Sequence, residues 1–361
     1  MSKVTNPYDS LSINDCVDLI DKVGDKITVL VQGHIGTGKT AILKILAKRY
    51  PDHTPVYCDI TTKDVGDFLI PQIRTLDGQP VCSFIPNEEF GLHLNKPVIL
   101  LLDELGKASK SVMNACLRLM LERTLGTYSL PEGSIVFATT NMASEGVGDN
   151  LPAHARNRIC TVKMRKPSPM DWRMDFAEHN GVSPVIIATV LEWPEMLASF
   201  EDYESPNQNM YIHDPRSPRA AFVTPRSLER ASDILKSCAD LDEGILTHAL
   251  MGVVGPAAAM HILTILKLDN TLPTFASIAA NPETAKVPKG GAASCLTVSK
   301  LIGNASRENF DAIMIYLDRL SKECQALFAR GVMSSNSPKR PIAVTNKKFT
   351  EWAVKNGHYF S

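Results

Sequence analysis

The stretch Gly33-His34-Ile35-Gly36-Thr37-Gly38-Lys39-Thr40 constrains this chain more than any other. A glycine, four residues and then Gly-Lys-Thr sit between a short apolar run, Ile27 to Val31, and an amphipathic one, Ala41 to Tyr50. That context is strand, tight turn, helix. Glycines at such positions let consecutive backbone N–H groups curl around phosphate oxygens, and the positive end of the following helix favours the same anion. On this reading Gly33 to Thr40 and the first helical residue, Ala41, surround the phosphates. Lys39 is placed to reach the β and γ phosphates, and Thr40 to bind Mg2+. The competing reading is a Gly-rich strand-to-helix turn in a fold that binds no nucleotide.

With 361 residues there is room for roughly two or three domains. An apolar content of 44%, a charged content of 21% and a formal net charge of −1 fit a soluble globular protein and argue against a dominant nucleic-acid surface, although a local basic patch stays open. The eight cysteines (16, 58, 82, 116, 160, 238, 295 and 324) show no Cys-x-x-Cys pair and no metal-like Cys/His spacing. They read as free thiols in a reducing cytosol. Met1 to Asp9 lacks a charged segment followed by an apolar one, and no run of about 18 apolar residues occurs, so a cytoplasmic, non-membrane protein is expected.

Residues 10–23 carry apolar positions at helical spacing, with Ser10 or Ser12 as N-cap and Gly24 as stop. A helix over Ala41 to Tyr50 should end at Pro51. Pro55 to Ile60 reads as a strand and Asp64 to Leu69 as a short helix. Two β-like runs from Ile73 to Ile85 flank Asp77-Gly78, which is a hairpin signal within what is otherwise a helical layer. Glu88 to Leu94 reads as a helix. Pro97 to Leu102 is a nearly continuous apolar run, expected for a strand buried on both faces. It ends in Asp103-Glu104, at the place where open α/β sheets bind ligands. Asp103 could hold Mg2+ through its water shell and Glu104 could polarise an attacking water. Equally, the pair could cap the helix that starts near Ser109.

Lys110 to Arg123 is an amphipathic helix, Thr124 to Gly133 a second small hairpin or loop, and Ser134 to Thr139 a strand ending in Thr140-Asn141. Asn141 is either a contact to the γ-phosphate or a turn residue. Leu151 to Ile159 reads as a short helix leading into a strand, Cys160 to Met164. Arg156 and Arg158 are then a solvated basic face, or an arginine finger supplied to a neighbouring subunit. A linker at Lys166-Pro167-Ser168-Pro169 precedes helices over Met170 to Asn180, Pro184 to Leu197 and Pro225 to Cys238, with a long loop from Glu201 to Ala221. Thr224-Pro225 has a helix-opening form and sets Arg226 on the first turn. Beyond it, helical runs cover Ile245 to Val254, Ala257 to Leu268, Val298 to Ile302, Phe310 to Leu327 and Phe349 to Val354, broken at Pro282 to Gly291 and by a turn-like Asn336 to Pro341.

Gly33 to Thr40, Leu100-Leu101-Leu102-Asp103-Glu104, Ala138-Thr139-Thr140-Asn141, Leu151 to Ile159 and Thr224-Pro225-Arg226 occur in the order and rough spacing of AAA+ ATPases. Over about residues 10–240 the chain most resembles the MoxR-like branch, in the clade with a β-hairpin inserted in helix 2 and another before sensor 1. The resemblance implies an α/β AAA+ P-loop NTPase core with a parallel five-stranded sheet at 1–165 (hairpin insert about 70–86), an α-helical lid at 166–255 with a long loop at 201–221, and an extra C-terminal helical region at 256–361. It assigns Gly33, Gly38, Lys39 and Thr40 to Walker A, Asp103 and Glu104 to Walker B, Asn141 to sensor 1, Arg158 (with Arg156 competing) to the arginine finger, and Arg226 to sensor 2.

Implied with these are ATP and Mg2+ as cofactors, hydrolysis at subunit boundaries of a homo-oligomeric, hexameric ring, and action on a protein partner, often one with a von Willebrand factor A domain. Clamp loaders and helicases share the motifs, so a nucleic-acid-dependent motor or loader is the alternative; a small-molecule kinase would use the same loop without finger or lid arginine. Departures from the family are Leu105-Gly106-Lys107 where it has Ile-Asn-Arg, Ala153 in place of an acid after Leu-Pro, and Asn157-Arg158-Ile159 in place of Asp-Arg-Phe. They suggest a divergent member, such as a phage-encoded one.

Overall fold

The computed structural model describes residues 10–142, 152–205, 207–238, 240–334 and 337–357; Met1 to Asp9, Leu151 and Asn336, named above, lie outside these. The chain divides between Lys166 and Pro167 into two compact units. The strands of the first are β1 (Val29–Gly33), β2 (Thr54–Asp59), β3 (Leu69–Leu76), β4 (Gln79–Pro86), β5 (Val98–Asp103), β6 (Thr124–Leu125), β7 (Tyr128–Ser129), β8 (Ile135–Asn141) and β9 (Cys160–Met164). Its longer helices are α1 (Ile13–Val23), α2 (Ala41–Arg49) and α3 (Lys110–Glu122).

Five strands form one sheet in the order β2-β5-β8-β1-β9, with every pairing parallel. β5 and β8 are buried at every position, as parallel strands covered on both faces must be. Because side chains alternate along a strand, each apolar run feeds two layers. Val29, Val31, Ile99, Leu101, Ile135 and Phe137 pack with α1 and α2 on one face. Leu30, Leu100, Leu102, Val136 and Ala138 pack with α3 on the other. α1 opens on Ser12 rather than Ser10, through a capping box in which the Asp15 N–H donates to Ser12 Oγ (3.1 Å) and the Ser12 N–H to Asp15 Oδ2 (2.9 Å). α3 opens on Ser109, whose hydroxyl accepts from the Val112 N–H at 3.3 Å.

β3 and β4 pair antiparallel only with each other, joined by Asp77 and Gly78 at φ of 49° and 79°. Positive φ at both positions is the two-residue turn that matches strand twist. One face of this ribbon carries Leu69, Pro71, Ile73 and Thr75 opposite Pro86, Phe84, Cys82 and Pro80, and Ile73 is 81% exposed. Since the pair flanking such a turn exchanges hydrogen bonds and pairs alternate from there, Pro71, Pro80 and Pro86 all occupy positions whose N–H would point away from the ribbon. β6 and β7 make a smaller hairpin within the Thr124 to Gly133 stretch.

Several local expectations are corrected, among them that of one helix over Pro184 to Leu197, which is a helix at Pro184–Glu192 and a separate turn at Pro194–Leu197. Asp64 to Leu69 is a single tight turn, Val65–Asp67, with β3 already starting at Leu69. Glu88 to Leu94 is a turn over Glu88–Phe90, stopped by Gly91 at a φ of 74°. Phe310 to Leu327 is two helices, Phe310–Leu317 and Lys322–Met333, the second capped by Ser321, whose hydroxyl accepts from the Cys324 N–H (3.4 Å) and donates to Cys324 Sγ (3.4 Å).

The second unit is helical. Pro184–Glu192, Pro225–Ser237, Glu243–Val254 and Pro256–Asp269 contribute to one apolar core. Phe310–Leu317, Lys322–Met333 and Lys347–Lys355 contribute to another. Gly291–Asn304 spans both, with Leu296 in the first and Val298, Leu301 and Ile302 in the second. Met170 to Asn180 contains a π turn, Arg173–Ala177, in which the Glu178 N–H donates to the Arg173 carbonyl. Arg340–Thr345 is helical, so the turn-like tail ends sooner than its composition suggests. Among the described residues no helix is long and apolar enough to cross a membrane.

Candidate functional site

Register places Gly33 of β1 level with Asn141 of β8, and Leu102 of β5 level with Ala138 of β8. The C-terminal ends of these three neighbouring strands therefore meet at one edge of the sheet, and the loop from His34 to Thr40 rises from the same edge. Gly36 and Gly38 have φ of 72° and 95°, a backbone that side chains with a Cβ rarely adopt, and this is what lets the loop fold back over its own helix. Whereas α1 and α3 begin on serine caps, the residue before α2, Thr40, makes no side-chain capping bond. The Ala41 and Ile42 amides at the start of α2 donate instead to the Gly38 and Lys39 carbonyls (2.8 and 3.2 Å), and the helix start, uncapped by a side chain, is the end whose dipole favours an anion.

Lys39 is buried and turned inward. Its Nζ donates to the carbonyls of Gly33 (2.8 Å) and His34 (3.0 Å) and to Asn141 Oδ1 (2.8 Å). The other end of the same amide, Asn141 Nδ2, donates to Glu104 Oε2 (3.1 Å) and Oε1 (3.3 Å). Glu104 also pairs with Lys107 Nζ at 3.1 Å. Asn141 is 4% exposed and forms the end of β8, so it acts as a bridge inside the sheet edge and not as a turn residue.

Glu104 owes its direction to strained backbone. At φ 57° and ψ 35° it is left-handed, which costs a residue with a Cβ roughly 1–2 kcal/mol. The bend is held by the Glu104 N–H on Asp103 Oδ1 (3.1 Å), the Gly106 N–H on Thr140 Oγ1 (3.2 Å) and the Lys107 N–H on the Glu104 carbonyl (2.9 Å). Because α3 takes its cap from Ser109, the Asp103-Glu104 pair is not that helix's cap.

Asp103 accepts four hydrogen bonds. Oδ1 takes the Glu104 N–H and the Thr139 hydroxyl, while Oδ2 takes the Thr40 hydroxyl at 3.2 Å and the Tyr57 hydroxyl at 3.1 Å. A threonine hydroxyl and a carboxylate oxygen this close are hard oxygen donors of the kind Mg2+ selects, one as direct ligand and one through bound water. The residues present fit that ion.

The structure thus gathers Gly33, Lys39, Thr40, Asp103, Glu104 and Asn141 at one edge. It does not bring Arg156 and Arg158 there. Both are exposed, Arg156 at the end of a short helix, Ala153–Arg156, and Arg158 on the turn between it and β9, whose Cys160 is level with Val29 while Met164 is level with Gly33. Four residues of parallel strand, about 13 Å, separate that level from the phosphate loop. Arg226 lies exposed on the first turn of Pro225–Ser237, in the second unit.

Three contributors went unrecognised in the sequence: Thr139, Tyr57 and the ion pair of Lys107. Thr139 had a signal, since its place two residues before Asn141 puts it on the strand beside Asp103. Tyr57 had none, because its contact depends on how the edge strand β2 is registered against β5. A depression of about 420 Å3 runs along β2, lined in part by Tyr57, Cys58, Lys63 and Glu89. Burial pushes the Cys58 thiol up to about 11, and the Glu89 carboxylate raises the pKa of Lys63.

No protein-family model and no curated protein matches this chain. Among solved structures it is similar to NtrX of Brucella abortus in complex with ADP, with a TM-score of 0.39 and 13% identity, over 96% of this chain and 68% of that one. It is similar to Hsp104 with ATPγS and casein, with a TM-score of 0.36 and 16% identity, over 73% and 46% of the two chains. The RuvB Holliday junction branch migration motor of Thermotoga maritima gives 0.36 and 13% identity, over 75% of each. These likenesses are slight, and the functional reading rests on the geometry of the sheet edge.

Proposed function

We propose that this chain is a Mg2+-dependent ATPase of the AAA+ class, of MoxR type, that works as a ring and remodels a protein partner. The observation that carries the reading is the single amide of Asn141 lying between Lys39 and Glu104. A lysine aimed at the phosphates and a carboxylate aimed at water are of use together only if they are held a few ångströms apart, and Asn141 does that. Thr40 and Asp103 would hold Mg2+, which supplies charge neutralisation on the β and γ phosphates. Lys39 would exchange its carbonyl partners for phosphate oxygens and so release Asn141 Oδ1. Glu104, kept in line by Asn141, would orient the attacking water and accept its proton.

Arg158, with Arg156 as its competitor, would serve the site of the next subunit, because about 13 Å of sheet height separates it from its own. Residues 166–255 would act as the lid, contributing Arg226, and 256–361 as a further helical region. A hexamer, and a partner with a von Willebrand factor A domain, are what the motif resemblance supports.

Glu104→Gln should retain ATP binding and lose turnover by about 100-fold or more; undiminished hydrolysis would sink the assignment. Arg158→Ala and Lys39→Ala should each be inactive alone. Mixed, they should recover activity, since an intact loop then meets an intact finger. Absence of recovery would remove the trans assignment while leaving the ATPase reading in place.

A further inference from the structure

Of the four donors on Asp103, three belong to the machinery already described: Thr40 on the phosphate loop, Thr139 on β8 and the Glu104 backbone. The fourth comes from outside it. Tyr57 lies on β2, the edge strand, where its backbone pairs with Leu101 two residues short of Asp103, so its side chain must lean along the strand to reach the carboxylate. Its residue surface is 49% exposed, yet the hydroxyl turns inward to Oδ2 at 3.1 Å. An exposed tyrosine ordinarily leaves its polar tip in water. Here the tip is spent on the oxygen that also faces Thr40.

We propose that Tyr57 is a positioning residue for the divalent cation of this site. The inference rests on the ATPase reading above and deepens it. Thr40 and Asp103 Oδ2 would hold the cation, and Asp103 would have to present that oxygen to it. With Thr139 and the Glu104 N–H on Oδ1 and Tyr57 on Oδ2, the carboxylate plane is fixed from both ends. Without Tyr57, Oδ2 is restrained only by Thr40, the residue that itself binds the ion, so ordering of the carboxylate and arrival of the metal become one event. The ordering then weighs against metal affinity and leaves the phosphate contacts untouched.

Tyr57→Phe removes one oxygen and keeps the ring. The test uses the full chain with a fluorescent ADP analogue, first in chelator and then with Mn2+ titrated and followed by electron paramagnetic resonance. Nucleotide affinity in chelator should be unchanged, and the Mn2+ affinity of the protein–ADP complex should fall about three- to tenfold, the effect of one hydrogen bond. Asp103→Asn should lose the ordered Mn2+ signal and serves as the reference. Unchanged Mn2+ affinity in Tyr57→Phe would overturn the proposal, as would an equal loss in chelator, which marks a role in shape alone. Failure of the wild-type chain to bind ADP under either condition would instead overturn the ATPase reading, and this inference with it.

Discussion

Two buried charged groups, one in each unit, are built in opposite ways. At the sheet edge Lys39 has three acceptors, Asp103 four donors and Glu104 both an amide and an ammonium. In the helical unit Arg173 and Glu178 share one bond, from Arg173 Nε to Glu178 Oε1, at side-chain exposures of 0% and 4%. Arg173 Nη1 and Nη2 and Glu178 Oε2 find no hydrogen-bond partner among the described residues. The π turn makes the pair possible by setting residues five apart on one side of the helix. Burial raises the pKa of Glu178, against the pull of Arg173. A group with many replaceable partners can hand them over to a ligand; a buried group with a single partner cannot. Burial of charge alone therefore does not mark a site.

The difference is open to direct attack, and the largest effect should come from the helical unit. Arg173→Met leaves Glu178 buried without its cation and should cost about 3–5 kcal/mol of stability, whereas Arg173→Met with Glu178→Leu should come back close to wild type. All three tryptophans, Trp172, Trp193 and Trp352, belong to this unit, so denaturant unfolding followed by their fluorescence reads it alone. A double variant as unstable as the single one would mean the pair does more than neutralise itself. Glu104→Gln, by contrast, should leave that transition where it is while abolishing turnover.

The smallest effect concerns His261, which stacks on Trp193 with ring centroids 4.0 Å apart and lies 3.0 Å from the Tyr211 hydroxyl. Burial holds its pKa below the ordinary imidazole range. The folded unit thus disfavours the protonated ring, so this contribution is present above the unfolded pKa of about 6.5 and is lost as pH falls through the folded value. The thermal midpoint should drop modestly from pH 7 to pH 5, and less in His261→Gln; equal drops in both would exclude His261 as the cause.

Much of the first unit could be read in advance because its signals are local. The runs at 97–102 and 134–139 declare strands covered on both faces, and Asp77-Gly78 declares its turn. Gly33 to Thr40 declares a loop by the positive φ its glycines must supply. What could not be read depends on lateral register: that Asn141 bridges Lys39 to Glu104, or that Tyr57 reaches across to Asp103, follows from which residues of different strands stand level, and a linear sequence does not state it. The break after Leu317 was missed for another reason. Apolar spacing continues through it, and only the Ser321 cap, a single hydroxyl, tells the two helices apart. Nothing in the sequence around Arg173 announces a π turn.

The prolines of the β3–β4 ribbon have a consequence for its two unpaired edges. A free two-stranded ribbon with an apolar face has two raw edges, and either could recruit a strand from another copy and so seed a fibre. Proline has no hydrogen to offer, and Pro71, Pro80 and Pro86 stand where outward donors would be. The row along β4 is interrupted twice within four outward positions, at Pro80 and Pro86 with Cys82 and Phe84 between. The missing donors disfavour the pairing of a further strand along the β4 rim and, at Pro71, along β3.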